Sequence, residues 1–385
     1  MKINKTYRFR LYPNKEQEEL LAKHFGCTRY VYNYFLNQRK KQYQENKKSD
    51  NYYKQAASLT KLKKEQDTIW LNEVNSQTLQ FALRSLETAY INFFSKRAKF
   101  PRFKSKKHKN SFTIPQNGKL ENNYILIPKF KKKGIKVKLH RKVEGAIGKM
   151  TISRTPTGKY FVSIFTEQNA NYLPKTKKQV GVDLGLKDFL ITSDSKKFKN
   201  NRYTKRYARK LKEQQKHLAR KQKGSNGFEK QKLKVAKIHE RIANSRLDTL
   251  HKVSIALVKN YDIISIEDLH VKGMIKNRKL SKHIADVSWG NFVSLLDYKC
   301  KWYGKALVKV NRFYPSSKTC HVCGYIKQDL KLSDRKWTCQ NGHLLDRDSN
   351  ASKNILKEGL KIYGQGLSIT KVERFNKTTS VAQTL

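Results

Sequence analysis

The sequence predicts a multidomain protein of mixed α/β and α+β class. Three observations carry this. The first hundred residues read as one strand followed by amphipathic helices, and residues 124–167 read as short alternating strands. From about residue 178, apolar strands alternate with long helical stretches, as in a sheet with crossover helices. Three of the five cysteines, Cys320, Cys323 and Cys339, cluster at a spacing that suits a small metal-stabilised module. At 385 residues the chain has room for two or three domains with a sizeable core.

In KINKTYRFRLYP, Tyr7, Phe9 and Leu11 alternate with Arg8 and Arg10, a strand with one basic face that Pro13 ends. Asn14 and Gln17 make a capping-box pair ahead of the apolar stripe Leu20, Leu21, His24 and Phe25. An aromatic, basic helix is expected over 30–43 and a polar loop over 44–53. A second strong helix starts near Asn75, with Leu79, Ala82, Leu83, Leu86, Ala89, Tyr90 and Phe93 as its core stripe. The run 95–112 carries Lys96, Arg97, Lys99, Arg102, Lys104, Lys106 and Lys107, with Phe100, Phe103 and Phe112 among them and no acid. A charge run is usually a solvated face. The interleaved aromatics, and the extended backbone that Pro101 enforces, make this one a candidate nucleic-acid contact. Strands are expected over 124–127, 135–139, 150–154 and 160–167, the last two joined by a turn at Thr155-Pro156-Thr157-Gly158. With the first strand they could close a small β-barrel.

Val180, Val182 and Leu184 then form a buried strand that turns at Gly185 and returns. Residues 196–242 read as a basic helical hairpin broken at Gly224-Ser225-Asn226-Gly227, with Lys205, Arg206, Arg209 and Lys210 as candidate phosphate contacts. A continuing helix passes Arg246, Leu250 and Val253. The apolar strand YDIISIEDL ends in Glu267-Asp268, and a helix over 289–303 and a strand over 307–310 lead to the cysteines.

Cys320 and Cys323 form C-x2-C, and Cys339 follows at a spacing common in zinc ribbons. Gly342 stands where a second C-x2-C would place a cysteine, so His343 is the nearest fourth ligand. A lone C-x2-C can also be a redox or buried thiol pair, about one case in three. The third cysteine and its neighbouring histidine favour one structural Zn²⁺ on Cys320, Cys323, Cys339 and His343, closed to a catalytic water. Three acids stand out as well: Asp183 within one apolar strand, Glu267 at the end of another, and Asp348 at the mouth of a helix beginning Ser349-Asn350-Ala351. A carboxylate on a buried strand is costly unless it is paired or holds a cation, and a single one is most often structural. Three in so basic a chain point to Mg²⁺, two ions of which would serve phosphodiester cleavage. The order strand-Asp, hairpin, helices, strand-Glu, helix-Asp suits a ribonuclease-H-like core, which gathers distant carboxylates at one end of its sheet.

Lys and Arg number 84 against 30 Asp and Glu, a net charge of +54 that calls for a polyanionic partner, nucleic acid first. The 20 Tyr and 18 Phe suit a folded protein that stacks bases better than a disordered basic tail. With no apolar run of about 18 residues and no signal-peptide core after Met1, membrane insertion and secretion are disfavoured. Ribbon spacing, with Cys27 and Cys300 isolated, fits a reducing cytoplasm.

GVDLGLKDFLITS, IHERIANSRLDTLHKVS, SIEDLHVKGM, YPSSKTCHVCG and LDRDSNASKNIL resemble the TnpB family of insertion-sequence proteins. These are RNA-guided DNA endonucleases with a RuvC-like nuclease domain, related to compact type V CRISPR effectors. The likeness runs from RLYP through KFPRFK to DRDSNAS. It implies Asp183, Glu267 and Asp348 as the catalytic, Mg²⁺-holding carboxylates, Asp346 in support, and Asp188 and Asp268 as neighbours without metal. It implies a wedge-like barrel from 1–13 and 111–175, a helical recognition domain over 14–110, and a nuclease core over 176–310. A zinc ribbon over 311–345, a last core helix over 346–363 and a flexible tail over 364–385 complete it. The implied partners are a guide RNA encoded near the transposon end and double-stranded DNA with a short adjacent motif, the protein acting as monomer or dimer. Base pairing would supply the sequence specificity. Many members carry a second C-x2-C where this chain has Gly342 and His343. The competing expectation is a transposase in the strict sense, or a DNA-binding regulator without cleavage.

Overall fold

The computed structural model describes residues 1–107, 110–130, 134–331 and 333–365. The expected flexible tail lies, from residue 366 on, outside the described residues. The chain divides into two compact units, Met1–Asn169 and Ala170–Leu385.

The first unit is organised on β1 (Lys2–Tyr12), whose Ile3, Tyr7, Phe9 and Leu11 are buried. On its opposite face the Arg8 and Arg10 guanidinium groups lie 4.0 and 5.3 Å from the centre of the Phe161 ring. The capping box is present: Asn14 accepts from the Gln17 backbone, and the Gln17 side chain accepts from the Asn14 backbone. It opens one continuous helix, α1 (Lys15–Asn46), so the two expected helical stretches are a single element. The expected loop is correspondingly shorter, because Asn51 caps a further helix, α2 (Tyr52–Leu62). A 3₁₀ segment, Gln66–Glu73, leads to α3 (Ser76–Phe94), capped by Asn75. Val31, Phe35 and Leu36 of α1 pack with Leu59 and Leu62 of α2 and with Leu79, Leu83 and Leu86 of α3.

Six strands follow: β2 (Asn110–Ile114), β3 (Lys119–Glu121), β4 (Tyr124–Leu126), β5 (Ile135–Lys138), β6 (Ala146–Arg154) and β7 (Tyr160–Asn169). With β1 they form an antiparallel sheet in the order β2-β6-β7-β1-β5-β4-β3. Where a closed barrel was expected, the end strands β2 and β3 are not hydrogen-bonded to one another among the described residues. Leu21 and Phe25, early in α1, join the core of this sheet.

The second unit holds a five-stranded mixed sheet of β8 (Gln179–Leu184), β9 (Asp188–Thr192), β10 (Lys197–Lys199), β11 (Ile263–Glu267) and β12 (Ala306–Val310), in the order β10-β9-β8-β11-β12. β8 lies parallel to β11, which is parallel to β12, while β9 and β10 run antiparallel. The basic hairpin is α4 (Tyr203–Ala219) and α5 (Asn226–Asn260). Residues 197–199, expected as helix, are the edge strand. Asn226 and Gly227, expected in the break, belong to α5, because the Ser225 hydroxyl accepts from the Phe228 N–H and caps the helix one residue earlier. The elements α6 (Val271–Met274), α7 (Ser281–Val287) and α8 (Trp289–Tyr303) follow. One sheet face buries Val180, Val182, Ile264 and Ile266 against Leu250, Leu257, Phe292 and Leu296 of α5 and α8. The short hairpin β13 (Lys336–Thr338) and β14 (Leu344–Asp346) precedes the last helix, α9 (Arg347–Gly364).

Helix α9 covers the other sheet face, and two glycines permit its approach. A Cβ on Gly181 of β8 would sit 2.0 Å from the Ser352 carbonyl oxygen, and one on Gly359 of α9 would sit 2.0 Å from the Ser265 Oγ of β11.

Candidate active site

Strand alternation sets the site. In the β8–β11 register Gly181 pairs with Ser265 and Val182 with Ile266. Val182 and Ile266 point into the core, and Gly181 and Ser265 face α9. One step further along, Asp183 and Glu267 therefore emerge on the α9 side, at the carboxyl ends of two adjacent parallel strands. Asp348 sits in the first turn of α9, and Asp346 is its N-cap, accepting from the Ser349 N–H at 2.9 Å. The structure thus gathers residues 183, 267 and 348 at one sheet end. Burial, then repulsion from Glu267 and Asp348, pushes Asp183 up to about 8, with the Arg347 guanidinium opposing. Burial also raises Glu267, against a hydrogen bond that the Ser316 hydroxyl donates to its carboxylate. Asp348 faces Arg335 at 3.5 Å. Asp268 turns away to pair with Arg312 at 2.9 Å, and Asp188 opens β9. A buried acid raised by burial and by two neighbouring carboxylates marks a site that a divalent cation would relieve, and oxygen-only donors suit Mg²⁺.

The cysteine module lies between β12 and α9. Among the described residues, Cys320, Cys323, Cys339 and His343 form the one group of possible ligands whose atoms all lie within 4.8 Å of one another. The Cys323–Cys339 sulfurs are 3.7 Å apart, and His343 Nδ1 is 3.1 and 3.9 Å from the Cys339 and Cys320 sulfurs. Tetrahedral zinc with ordinary bond lengths requires edges of about 3.8 Å for S–S and about 3.6 Å for S–N. The group fits a structural zinc. Gly342 has its own reason to be there. It takes a left-handed φ of +77° and donates to the Cys339 carbonyl, as Gly324, at +78°, donates to that of Cys320. Both knuckles close on a left-handed glycine, and His343 places a possible ligand atom one residue later. Burial pushes the Cys339 thiol up, but hydrogen bonds from the His343 backbone and ring and the Asn341 backbone outweigh it and leave the thiol at about 6.

The basic segments are placed as follows. Phe112, expected as a stacking residue, is a correction: it is buried in the sheet core beside His24 and Phe25, because the alternation of β2 turns it inward with Ile114. Phe100 and Phe103 are partly exposed, with the Lys40 ammonium 5.4 and 4.7 Å from their ring centres. Asn33 bonds both the N–H and the carbonyl of Lys104, and the Lys104 ammonium lies 3.8 Å from the centre of the Tyr32 ring. The run is therefore docked on α1. Lys96, Arg97, Lys99, Arg102, Lys106 and Lys107 are exposed, as are Lys205, Arg206, Arg209 and Lys210 on α4. Among the described residues no helix is long and apolar enough to cross a membrane.

Ser316, Asn350, Asn354 and Arg335, which contact the acids or the loop beside them, carry no acid or cysteine to single them out in the sequence. The first three stand inside the PSSK and SNASKN motifs, but side chains that bond to groups thirty or more residues away leave no periodic trace.

Families described as "Probable transposase" and "Cas12f1-like, TNB domain" match residues 162–278 and 289–355. One described as "Helix-turn-helix domain" matches residues 1–48, which here form one strand and one helix. A putative RNA-guided DNA endonuclease of Streptomyces pristinaespiralis is 37% identical, over 98% of this chain and 94% of the relative. The putative RNA-guided DNA endonuclease InsQ of Escherichia coli (strain K12) is 34% identical, over 95% of each. A Cas12f1 chain, solved by cryo-electron microscopy with sgRNA and target DNA, aligns at a TM-score of 0.55 and 14% identity over 92% of this chain and 98% of that one, a likeness of fold. The chain belongs to the TnpB family.

Proposed function

We propose that this chain is an RNA-guided DNA endonuclease of a transposable element, hydrolysing target phosphodiesters at Asp183, Glu267 and Asp348. The observation that carries it is the gathering of these acids at one sheet end, in a chain of net charge +54 whose near full-length relatives are named as such enzymes. The second unit's sheet, with α9 across it, is read as a RuvC-like, ribonuclease-H-like core. The three carboxylates would hold two Mg²⁺ ions, which when bound activate water and stabilise the leaving oxygen. The chain's own part is to keep these acids together and dry on one side and open to a strand on the other. Arg335 and Arg347 hold positive charge beside them, where a phosphate arrives. The Cys320–Cys323–Cys339–His343 group would hold one zinc as a brace. The helices of the first unit serve as the recognition lobe and its sheet as the wedge. The lysines and arginines of 96–107 and of α4 would neutralise phosphates of guide RNA and double-stranded target DNA, with a short motif read beside the target. The setting is the cytoplasm.

The test is to purify the chain with its bound RNA, sequence that RNA, and assay cleavage of a matching duplex. Asp183→Asn is expected to abolish cleavage while leaving RNA binding intact. Full cleavage by that variant would overturn the assignment, and strand-transfer products formed without RNA would replace it with a transposase.

A further inference from the structure

Glu267 and α9 are both tied to one short loop, 316–321. Ser316 is buried and donates its hydroxyl to the Glu267 carboxylate. Its carbonyl accepts from the Asn354 amide at 2.8 Å and the Asn350 amide at 3.4 Å. The Thr319 carbonyl accepts from the same two amides at 2.6 and 2.7 Å. The Asn350 side-chain oxygen then accepts from the His321 N–H at 2.9 Å. Asn350 and Asn354 are 1% and 2% exposed, four residues apart on one face of α9, and Asp348 stands two residues before the first of them. Thr319 and His321 flank Cys320.

Resting on the carboxylate-site reading above, the geometry points to Ser316, Asn350 and Asn354 as positioning residues that hold Glu267 and Asp348 at one separation. Ser316 fixes the Glu267 rotamer by a charge-assisted hydrogen bond. The asparagines fix the height of α9, and so of Asp348, over the same loop. Only an amide serves at 350 and 354. Each must donate to carbonyls, and an aspartate of the same shape would set acceptor against acceptor in a buried place. The loop also runs into the first knuckle, so the cysteine module acts on the spacing of the acids through main-chain bonds.

The test uses the full-length, zinc-loaded chain, stripped of nucleic acid by high salt. Mn²⁺ binding is measured by isothermal titration, with Asp183→Asn as the background. Ser316→Ala is expected to weaken Mn²⁺ binding about 10- to 100-fold, with zinc content and melting temperature unchanged. Ser316→Thr, which keeps the hydroxyl, is expected to bind within a few-fold of the natural chain. Asn354→Asp is expected to lose Mn²⁺ affinity while retaining zinc, which keeps the idea open to refutation if the threonine variant misfolds. Mn²⁺ binding by Ser316→Ala and Asn354→Asp within twofold of the natural chain would overturn the inference alone. A natural chain that binds no more Mn²⁺ than Asp183→Asn would overturn the carboxylate-site reading and the inference with it.

Discussion

Replacing Gly181 by alanine tests the way α9 is laid on the sheet. The added Cβ would lie 2.0 Å from the Ser352 carbonyl oxygen, 2.6 Å from the Leu356 nitrogen and 2.8 Å from the Leu356 Cβ. The first two are helix backbone, so no rotamer change relieves them. A carbon–oxygen contact needs about 3.3 Å, so α9 must withdraw by roughly 1 Å or β8 must buckle by as much. Overpacking of this kind costs about 1–3 kcal/mol, and the absence of a flexible partner sets it near the top. In a unit of this size that is a fall of about 6–12 °C in melting temperature. The same displacement carries Asp348 away from Asp183, and a misplacement of about 1 Å costs on the order of 100-fold in rate. The measurements are a thermal melt and single-turnover cleavage with bound guide. Gly227→Ala is the control, since its Cβ would meet nothing closer than 3.8 Å, and it is expected to be neutral or slightly stabilising. A Gly181→Ala chain with unchanged melting temperature and rate would refute the close packing of α9 on β8.

Four further outcomes are expected. Asp262 accepts from the Thr176 and Lys177 N–H groups and from Lys305, whose side chain is 0% exposed; after the cost of burial, the bond from Lys305 and these N–H groups hold its carboxyl at about 2. Because that value lies below the unfolded one, its contribution of about 2 kcal/mol is full above about pH 4 and is lost as pH falls through about 2. Urea unfolding across pH should show this loss, and Asp262→Asn, which leaves Lys305 buried without its counter-charge, should cost about 3–5 kcal/mol at neutral pH. His343→Ala should reduce zinc from one per chain to substoichiometric levels by elemental analysis; unchanged zinc would exclude His343 as a ligand. Neutralising Lys205, Arg206, Arg209 and Lys210 together should lower the salt slope of DNA binding by up to about 4, at about 0.9 for each phosphate no longer neutralised.

Much of the site was legible because it lies on strongly patterned strands. The apolar runs around Asp183 and Glu267 mark central strands, and an acid inside such a run is conspicuous. The Asn14 capping box is local chemistry, readable from four residues. Long-range or ambiguous features were harder. The helix 52–62 is polar enough to pass for loop, since it buries only Gln55, Leu59 and Leu62. Gly224-Ser225-Asn226-Gly227 carries every mark of a turn, yet a capping serine lets the helix begin inside it. Phe112 was misread because its basic neighbours outweighed the alternation with Ile114 that assigns it to a sheet core. The pairing of Ser316 with Glu267, and of Asn350 and Asn354 with the preceding loop, depends on tertiary geometry that no period encodes.

The length of α1 has a consequence for how the first unit behaves as a body. Its 32 residues span about 48 Å. The early turns, through Leu21 and Phe25, complete the interior of the sheet, and the later turns, through Val31, Phe35 and Leu36, complete the interior of the bundle. One rod is thus the shared keel of two hulls. Neither could be excised with its interior intact, and a break near Cys27 or Thr28, at the handover between them, would open both. Hydrogen exchange should therefore find sheet and bundle protected to a similar degree, opening together and not one after the other.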